Sequence, residues 1–321
     1  MTRHRLILIT SLLALPCLLF GLGPRVPIDT TFRPSALPAD LDAYLSEREA
    51  AVPDLVPGTG KRIVWAGEAG ERTDWSVVYL HGFSGSRQEA APLADRVAGA
   101  LGANLFYTRF TGHGRDGDAL LEGSVNAWLN DAHEAYRIGE RLGDQVLLMG
   151  TSTGGTIATW LATRPETPAL GAVVLLSPNF GLPDPNAAVL TWPWGGLIAE
   201  LAIGETRSWT PENERHARYW THRYPTRALL PMAGMVKLVR QTDLAAARVP
   251  FLVIYSPNDR VVSPDATEAT FSRIGASRKK LVPYTGASNP AQHVLAGDIL
   301  APESTAPIAE LILDFVQTPA H

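Results

Sequence analysis

The chain has 321 residues, 45 % of them hydrophobic, enough for one large core or one core carrying an inserted subdomain. Its formal net charge is -4 and its 28 basic residues are dispersed, so no basic stripe points to nucleic acid. The single cysteine, Cys17, excludes an intramolecular disulfide and argues against a cysteine-based metal site.

At the N-terminus, Arg3 and Arg5 precede LILITSLLALPCLLFGLG, Leu6 to Gly23, which carries no charged residue. Positive residues before an apolar run mark an export signal. At ~1.5 Å per residue the run reaches about 27 Å, close to a bilayer core. It is long for a cleaved signal and no clear A-x-A site follows, so residues 1–25 are expected to form a signal anchor, or else a cleaved signal peptide. Pro16 would kink a spanning helix without forbidding it. It also stands where a lipobox has a small residue, which argues against lipidation of Cys17. With the arginines held inside, the rest of the chain is expected outside the cytoplasm, exported or anchored to the inner membrane.

Residues 26–50 are rich in proline and read as a linker with one short helix near 38–50, the folded domain beginning near 51. Next come a strand at SVVYL (76–80), a helix over 92–101 ending at Gly102, and a strand at NLFYT (104–108). Apolar residues recur at helical spacing from Val125 to Leu142, and Gly143 closes that run. QVLLMG is a strand and TIATWLAT a helix. AVVLLS (172–177), FLVIYS (251–256) and KKLVPY (279–284) are further strands, and Ile308 to Val316 a last helix. Apolar strands alternating with helices predict an α/β fold with a mostly parallel central sheet flanked by helices. The 73 residues between the strands at 172–177 and 251–256 exceed any ordinary crossover. The core is thus expected over 51–177 and 250–321, with 178–249 an inserted cap whose helices lie near 212–220 and 228–241.

GTSTGG, 150–155, lies where a strand pattern turns into a helix pattern and fits G-x-S-x-G. Such a bend lifts the Ser152 hydroxyl above the sheet and sets the Thr153 N–H at a helix N-terminus, where it can donate to an oxyanion. The turn HGFSGS, 81–86, offers the Phe83 amide as the second donor. A serine needs a base, and the base an orienting acid, in the order Ser, acid, His. Four histidines follow Ser152. His216 and His222 fall inside the cap and His321 is terminal, which leaves His293 in SNPAQHVLAGD. Asp259, in the turn PNDRVVSPD after a core strand, is the expected acid, with Asp265 second. His81 is expected to support the oxyanion turn, and Arg109 and His113 to shape the pocket rim or brace the nucleophile turn. A metal at His113, Asp116 and Asp118 has little beyond spacing in its favour. His133 reads as structural. Of the cap tryptophans, at least one is expected to line an acyl or alkyl pocket.

HGFSGS, the TGHG turn, GTSTGG, PNDRVVSP and the late QH together resemble the α/β-hydrolase superfamily over roughly residues 60 to 317. Within it the chain is similar to bacterial carboxylesterases and monoacylglycerol-lipase-like serine hydrolases. The resemblance implies Ser152, Asp259 and His293 as nucleophile, acid and base, Phe83 and Thr153 as oxyanion amides, and no cofactor or metal. Two departures stand out. Thr151 precedes the serine where His, Met or Leu is common, and no HGGG-type run marks the oxyanion turn. The expected chemistry is hydrolysis of a small apolar ester through an acyl-serine. Thioesterase, amidase and lactonase activity would use the same three residues, as would a peptidase, a cofactor-free haloperoxidase or a carbon–carbon hydrolase. A catalytically silent binding or scaffold protein on the same fold is the alternative of a different class.

Overall fold

The computed structural model describes residues 19–33 and 36–318. Among these, nine strands form two sheets: β1 (Arg62–Val64), β2 (Thr73–Leu80), β3 (Asn104–Tyr107), β4 (Gly143–Thr151), β5 (Leu170–Leu176), β6 (Thr206–Ser208), β7 (Arg223–Pro225), β8 (Phe251–Tyr255) and β9 (Lys279–Pro283). The main sheet runs β1-β3-β2-β4-β5-β8-β9. All its pairs are parallel except that of the short edge strand β1 with β3. The helices are α1 (Leu41–Ala50), α2 (Leu93–Leu101), α3 (Val125–Leu142), α4 (Thr153–Leu161), α5 (Gly195–Ile203), α6 (Glu214–Tyr219), α7 (Leu229–Gln241), α8 (Pro264–Arg273) and α9 (Pro302–Gln317).

Strand geometry sends successive side chains to opposite faces, and each face of this sheet has its own core. Val78, Leu80, Phe106, Leu148 and Val173 pack with residues of α3, α4 and α7. Their neighbours Val77, Tyr79, Leu105, Leu147 and Val174 pack with α2 and α9. Burial on both sides explains why these strands are apolar without alternation. Ser124 caps α3 by accepting from the Ala127 amide, and Gly102, at φ 60°, closes α2 in the left-handed conformation that glycine tolerates best.

Two expectations need correction. The stretch read as a linker, 26–50, is docked on the domain wherever it is described. Leu41 and Leu45 are buried in the core, Phe32 stacks on His133 at 4.1 Å, and Glu49 makes a bidentate pair with Arg109 at 2.8 and 2.9 Å. Pro27 and Pro38 are exposed along this docked path, which is not a free tether. The last helix begins at Pro302, not near 308. Pro302 occupies the first helical turn, where no amide is needed, and Pro307 is accommodated inside the helix. Strand β1, three residues long, is too short to show periodicity in the sequence.

Between β5 and β8 the chain carries α5, α6 and α7 and the antiparallel ribbon β6–β7. This segment meets the core over the turn after β2: the Thr221 amide donates to Ser84 O at 2.8 Å and the Tyr224 ring lies edge-on to Phe83 at 5.3 Å. The expected anchor lies outside the described residues up to residue 18. Among the described residues no helix is long and apolar enough to cross a membrane.

Candidate active site

The C-terminal ends of β2, β4 and β8, and the loop after β9, supply the site, as expected where ligands bind to open parallel sheets. Ser152 sits between β4 and α4 at φ 50° and ψ -117°, a strained conformation for a residue with a side chain. The bend needs glycines around it: a Cβ on Gly154 would lie 2.1 Å from Leu80 O, and one on Gly150 2.7 Å from the Gly154 backbone. The Ser152 amide donates to Leu176 O, and Ser152 O accepts from the amides of Thr156 and Asn179, so the backbone is held from both sides. The hydroxyl makes no capping bond to α4, which leaves it for other work. Thr153 is the first residue of that helix, so its N–H has no carbonyl four residues back and points outward at the positive end of the dipole.

Asp259 and His293 meet. Asp259 Oδ2 lies 2.7 Å from His293 Nδ1, while Oδ1 accepts from the amides of Val261 and Val262 at 2.8 and 3.0 Å. The acid is thus fixed by its own turn and offers its second oxygen to the ring. That contact sets the proton on Nδ1 and leaves Nε2 as the basic nitrogen. The His293 amide donates to Asn289 Oδ1. Asp265 takes no part: it is exposed in the first turn of α8, where Ser263 is the cap. His216, in the cap, lies between Trp209 and Trp220 with ring centroids 4.7 Å from each. His321 lies outside the described residues.

The turn carrying Phe83 is braced by two buried neutral histidines. His81 Nε2 accepts from the Phe110 amide at 3.0 Å, so its proton is on Nδ1, which donates to Gly82 O. Burial lowers its pKa to about 4. His113 Nε2 accepts from the Ser84 amide at 3.1 Å, and burial holds it far below the ordinary histidine range. Both ring nitrogens of His113 face backbone partners, and Asp116 accepts from the Ala119 amide instead. Arg109 is committed to Glu49, a brace of α1 rather than a pocket rim. Of the cap tryptophans, Trp209 and Trp220 pack beside Val294, the neighbour of His293, while Trp192 and Trp194 are exposed elsewhere.

Sequence reasoning missed Glu89. It is buried beneath the Phe83 turn and accepts from the Gly82 amide and the Tyr79 hydroxyl. No periodicity marks it, and only its place eight residues after His81 could have drawn attention.

The family described as serine aminopeptidase, S33, matches residues 71–288. The chain belongs to this family of α/β-hydrolases. A thermostable monoacylglycerol lipase of Bacillus sp. (strain H-257) is 28 % identical over 210 residues, 64 % of this chain and 79 % of that protein. Among solved structures, the one reported for LipS and LipT, two metagenome-derived lipolytic enzymes, superposes with a TM-score of 0.66 at 21 % identity, covering 82 % of this chain and 99 % of that one. The monoacylglycerol lipase of Paleococcus ferrophilus gives 0.56 at 15 % identity over 80 % of this chain and 97 % of its own. The chain is therefore a serine hydrolase by family, on the α/β-hydrolase fold that these structures share. The family match stops at residue 288, so the place of His293 in the site rests on its contact with Asp259.

Proposed function

We propose that the protein hydrolyses carboxylic esters of lipid-like, single-chain substrates through an acyl-serine on Ser152. The observation that carries this is the Asp259–His293 contact at the strand ends that also present the strained Ser152. His293 Nε2 takes the Ser152 proton as the hydroxyl oxygen attacks the ester carbonyl. The amides of Phe83 and Thr153 receive the developing oxyanion, and Asp259 stabilises the imidazolium. Collapse of the tetrahedral intermediate breaks the bond to the alcohol oxygen, which leaves with the proton from His293. Water, deprotonated by the same base, then attacks the acyl-serine and releases the acid.

The surface supports an apolar substrate. Of the ten exposed large apolar side chains among the described residues, eight gather where the N-terminal segment meets α5: Leu19, Phe20, Leu22, Trp192, Trp194, Leu197, Leu201 and Ile203. Trp194 joins the two, its Nε1 donating to Leu19 O and its amide to Pro24 O. A patch of this kind favours a lipid surface over open water. In this reading the chain is exported, its uncharged N-terminal run lies in or on the inner membrane, and the cap faces lipid. The names of the relatives point the same way, toward monoacylglycerol and other lipolytic substrates. The family description favours a second reading, cleavage of an N-terminal peptide bond by the same three residues.

The test is turnover of a p-nitrophenyl ester series from acetate to palmitate, of monoacylglycerols, and of aminoacyl p-nitroanilides, beside Ser152→Ala. Serine-dependent ester turnover with inert anilides supports the ester reading. Faster anilide turnover would replace it with the peptidase.

A further inference from the structure

The Glu89 carboxyl has no part in the scheme above, yet it lies at its centre. It belongs to a short 3-10 turn, Arg87–Glu89, capped by Ser86. One oxygen, Oε1, accepts from the Gly82 amide at 2.6 Å and from the Tyr79 hydroxyl at 2.8 Å. The same hydroxyl lies 2.8 Å from Thr151 Oγ1. Its one proton goes to Glu89, so Thr151 is the donor there. Gly82 immediately precedes Phe83, and Thr151 immediately precedes Ser152. The other oxygen, Oε2, fills the room that side chains at 82 and 85 would need. A Cβ at Gly85 would lie 2.5 Å from it, and one at Gly82 3.1 Å both from it and from Ser152 Cβ.

Resting on the acyl-serine reading, we propose that Glu89 is the positioning residue of the oxyanion hole: it holds Gly82 directly and Thr151 through Tyr79, and so fixes the Phe83 amide relative to Ser152. Oxyanion donors act only when aimed in advance at the developing charge, and such aim comes from a supporting layer of hydrogen bonds. A buried acid without a cationic partner costs stability that an apolar side chain would not. Here that cost secures the register of two separate segments. The chain's departure at Thr151 also gains a cause, because Met or Leu there has no donor for this bond.

The link carries a pH dependence. Burial pushes the Glu89 carboxyl up to about 7, against the pull of the Gly82 and Tyr79 bonds and of the His293 charge. The titratable groups facing it are the Tyr79 phenol from β2 and His293 from the loop after β9, while neighbouring Arg87 turns over the Tyr107 ring of β3. With Oε1 engaged by two donors, a proton must sit on Oε2. Protonation removes the charge that strengthens both Oε1 bonds. The activity profile should then carry the ionisation of Glu89 as a partial step, about threefold or less, near pH 7.

The experiment compares Glu89→Ala, Glu89→Gln and Tyr79→Phe with the wild type on an ester that the wild type turns over, with melting temperatures as the folding control. Glu89→Ala is expected to lower kcat about 10- to 100-fold with KM within about twofold, and Tyr79→Phe to lower kcat roughly 3- to 10-fold. Glu89→Gln, whose amide oxygen can accept the same two bonds and which stands in for the protonated acid, should keep kcat within about threefold and lose the partial step that Glu89 gives the wild type near pH 7. If Glu89→Ala does not fold, the other two variants carry the test. A normal kcat with raised KM in Glu89→Ala or Tyr79→Phe, or a wild-type step near pH 7 persisting in Glu89→Gln, overturns the proposal. A wild type that turns over no ester but is labelled at Ser152 by a fluorophosphonate sinks the ester reading alone, and the labelling rates of the same variants then decide the role of Glu89.

Discussion

Ser152, His293 and Asp259 are separated by 141 residues of chain, and their joint action is the first thing to measure. Ser152→Ala should leave less than about one thousandth of ester turnover. Asp259→Asn, which keeps the size but disturbs the ring tautomer, should lose on the order of 10³- to 10⁴-fold in kcat. Near-normal activity in either variant would remove that residue from the scheme. Buried groups set the pH response of stability. His81 is held near 4 against an ordinary 6.5, so between these values the unfolded chain binds a proton that the folded one refuses. Its contribution is whole above pH 6.5 and is lost as pH falls toward 4, ~3 kcal/mol in all. Glu89 runs the other way. Its raised pKa means that the folded chain keeps a proton from 4.5 up to about 7, so its contribution is present below 4.5 and lost as pH rises through 7. Glu89→Gln should accordingly gain about 2–3 kcal/mol on the wild type between pH 5 and pH 8 in denaturant unfolding. An equal gap at both pH values would mean that Glu89 is not shifted. Ser152 was picked out by its glycines and His293 by elimination among four histidines, as candidates. Glu89 was not, because its importance is created by burial under a turn.

Among the elements, the elbow and α2 make opposite demands on glycine. Gly154→Ala would drive a methyl against Leu80 O in the neighbouring strand, and neither backbone can yield; a loss of at least ~3 kcal/mol or failure to fold is expected. Gly99, exposed in α2 with nothing within 4 Å of an added Cβ, should instead gain about 0.5–1 kcal/mol on substitution by Ala. Melting curves of the two variants separate a glycine required by contact from one merely tolerated. Helix α1 tests the revised boundary. Leu45→Ala should cost about 2–4 kcal/mol through an unfilled cavity. Glu49→Ala should cost about 3–5 kcal/mol, because the Arg109 side chain, 8 % exposed, would lose its partner. Wild-type stability in both would return residues 26–50 to the status of a tether. The helix itself was legible. Its docking was not, because proline content marks irregular backbone without saying whether that backbone lies on a surface or hangs free.

For the whole molecule the question is orientation. The apolar patch of α5 and the N-terminal segment lies on the cap side of the chain, so contact with lipid would bring the cap to the substrate's own phase. Leu201 is 80 % exposed, and Leu201→Ser with Leu197→Ser should leave folding and turnover of a short soluble ester unchanged. Turnover of monoacylglycerol in anionic or zwitterionic vesicles should fall about fivefold or more. Equal losses on both substrates would show the patch to be structural, and no loss on either would detach it from lipid altogether.

The sequence by itself determined the α/β architecture, the strands and principal helices, the place of the insertion and the candidate triad. These follow from local periodicity, from turn chemistry and from a chain order that leaves few choices. Only the tertiary structure decided that 26–50 is part of the body, that Arg109 braces α1, and that Tyr79, Glu89 and Thr151 tie the two halves of the site together. Those facts depend on which residues far apart in the chain are brought within hydrogen-bonding distance and shielded from water, and no local pattern encodes that.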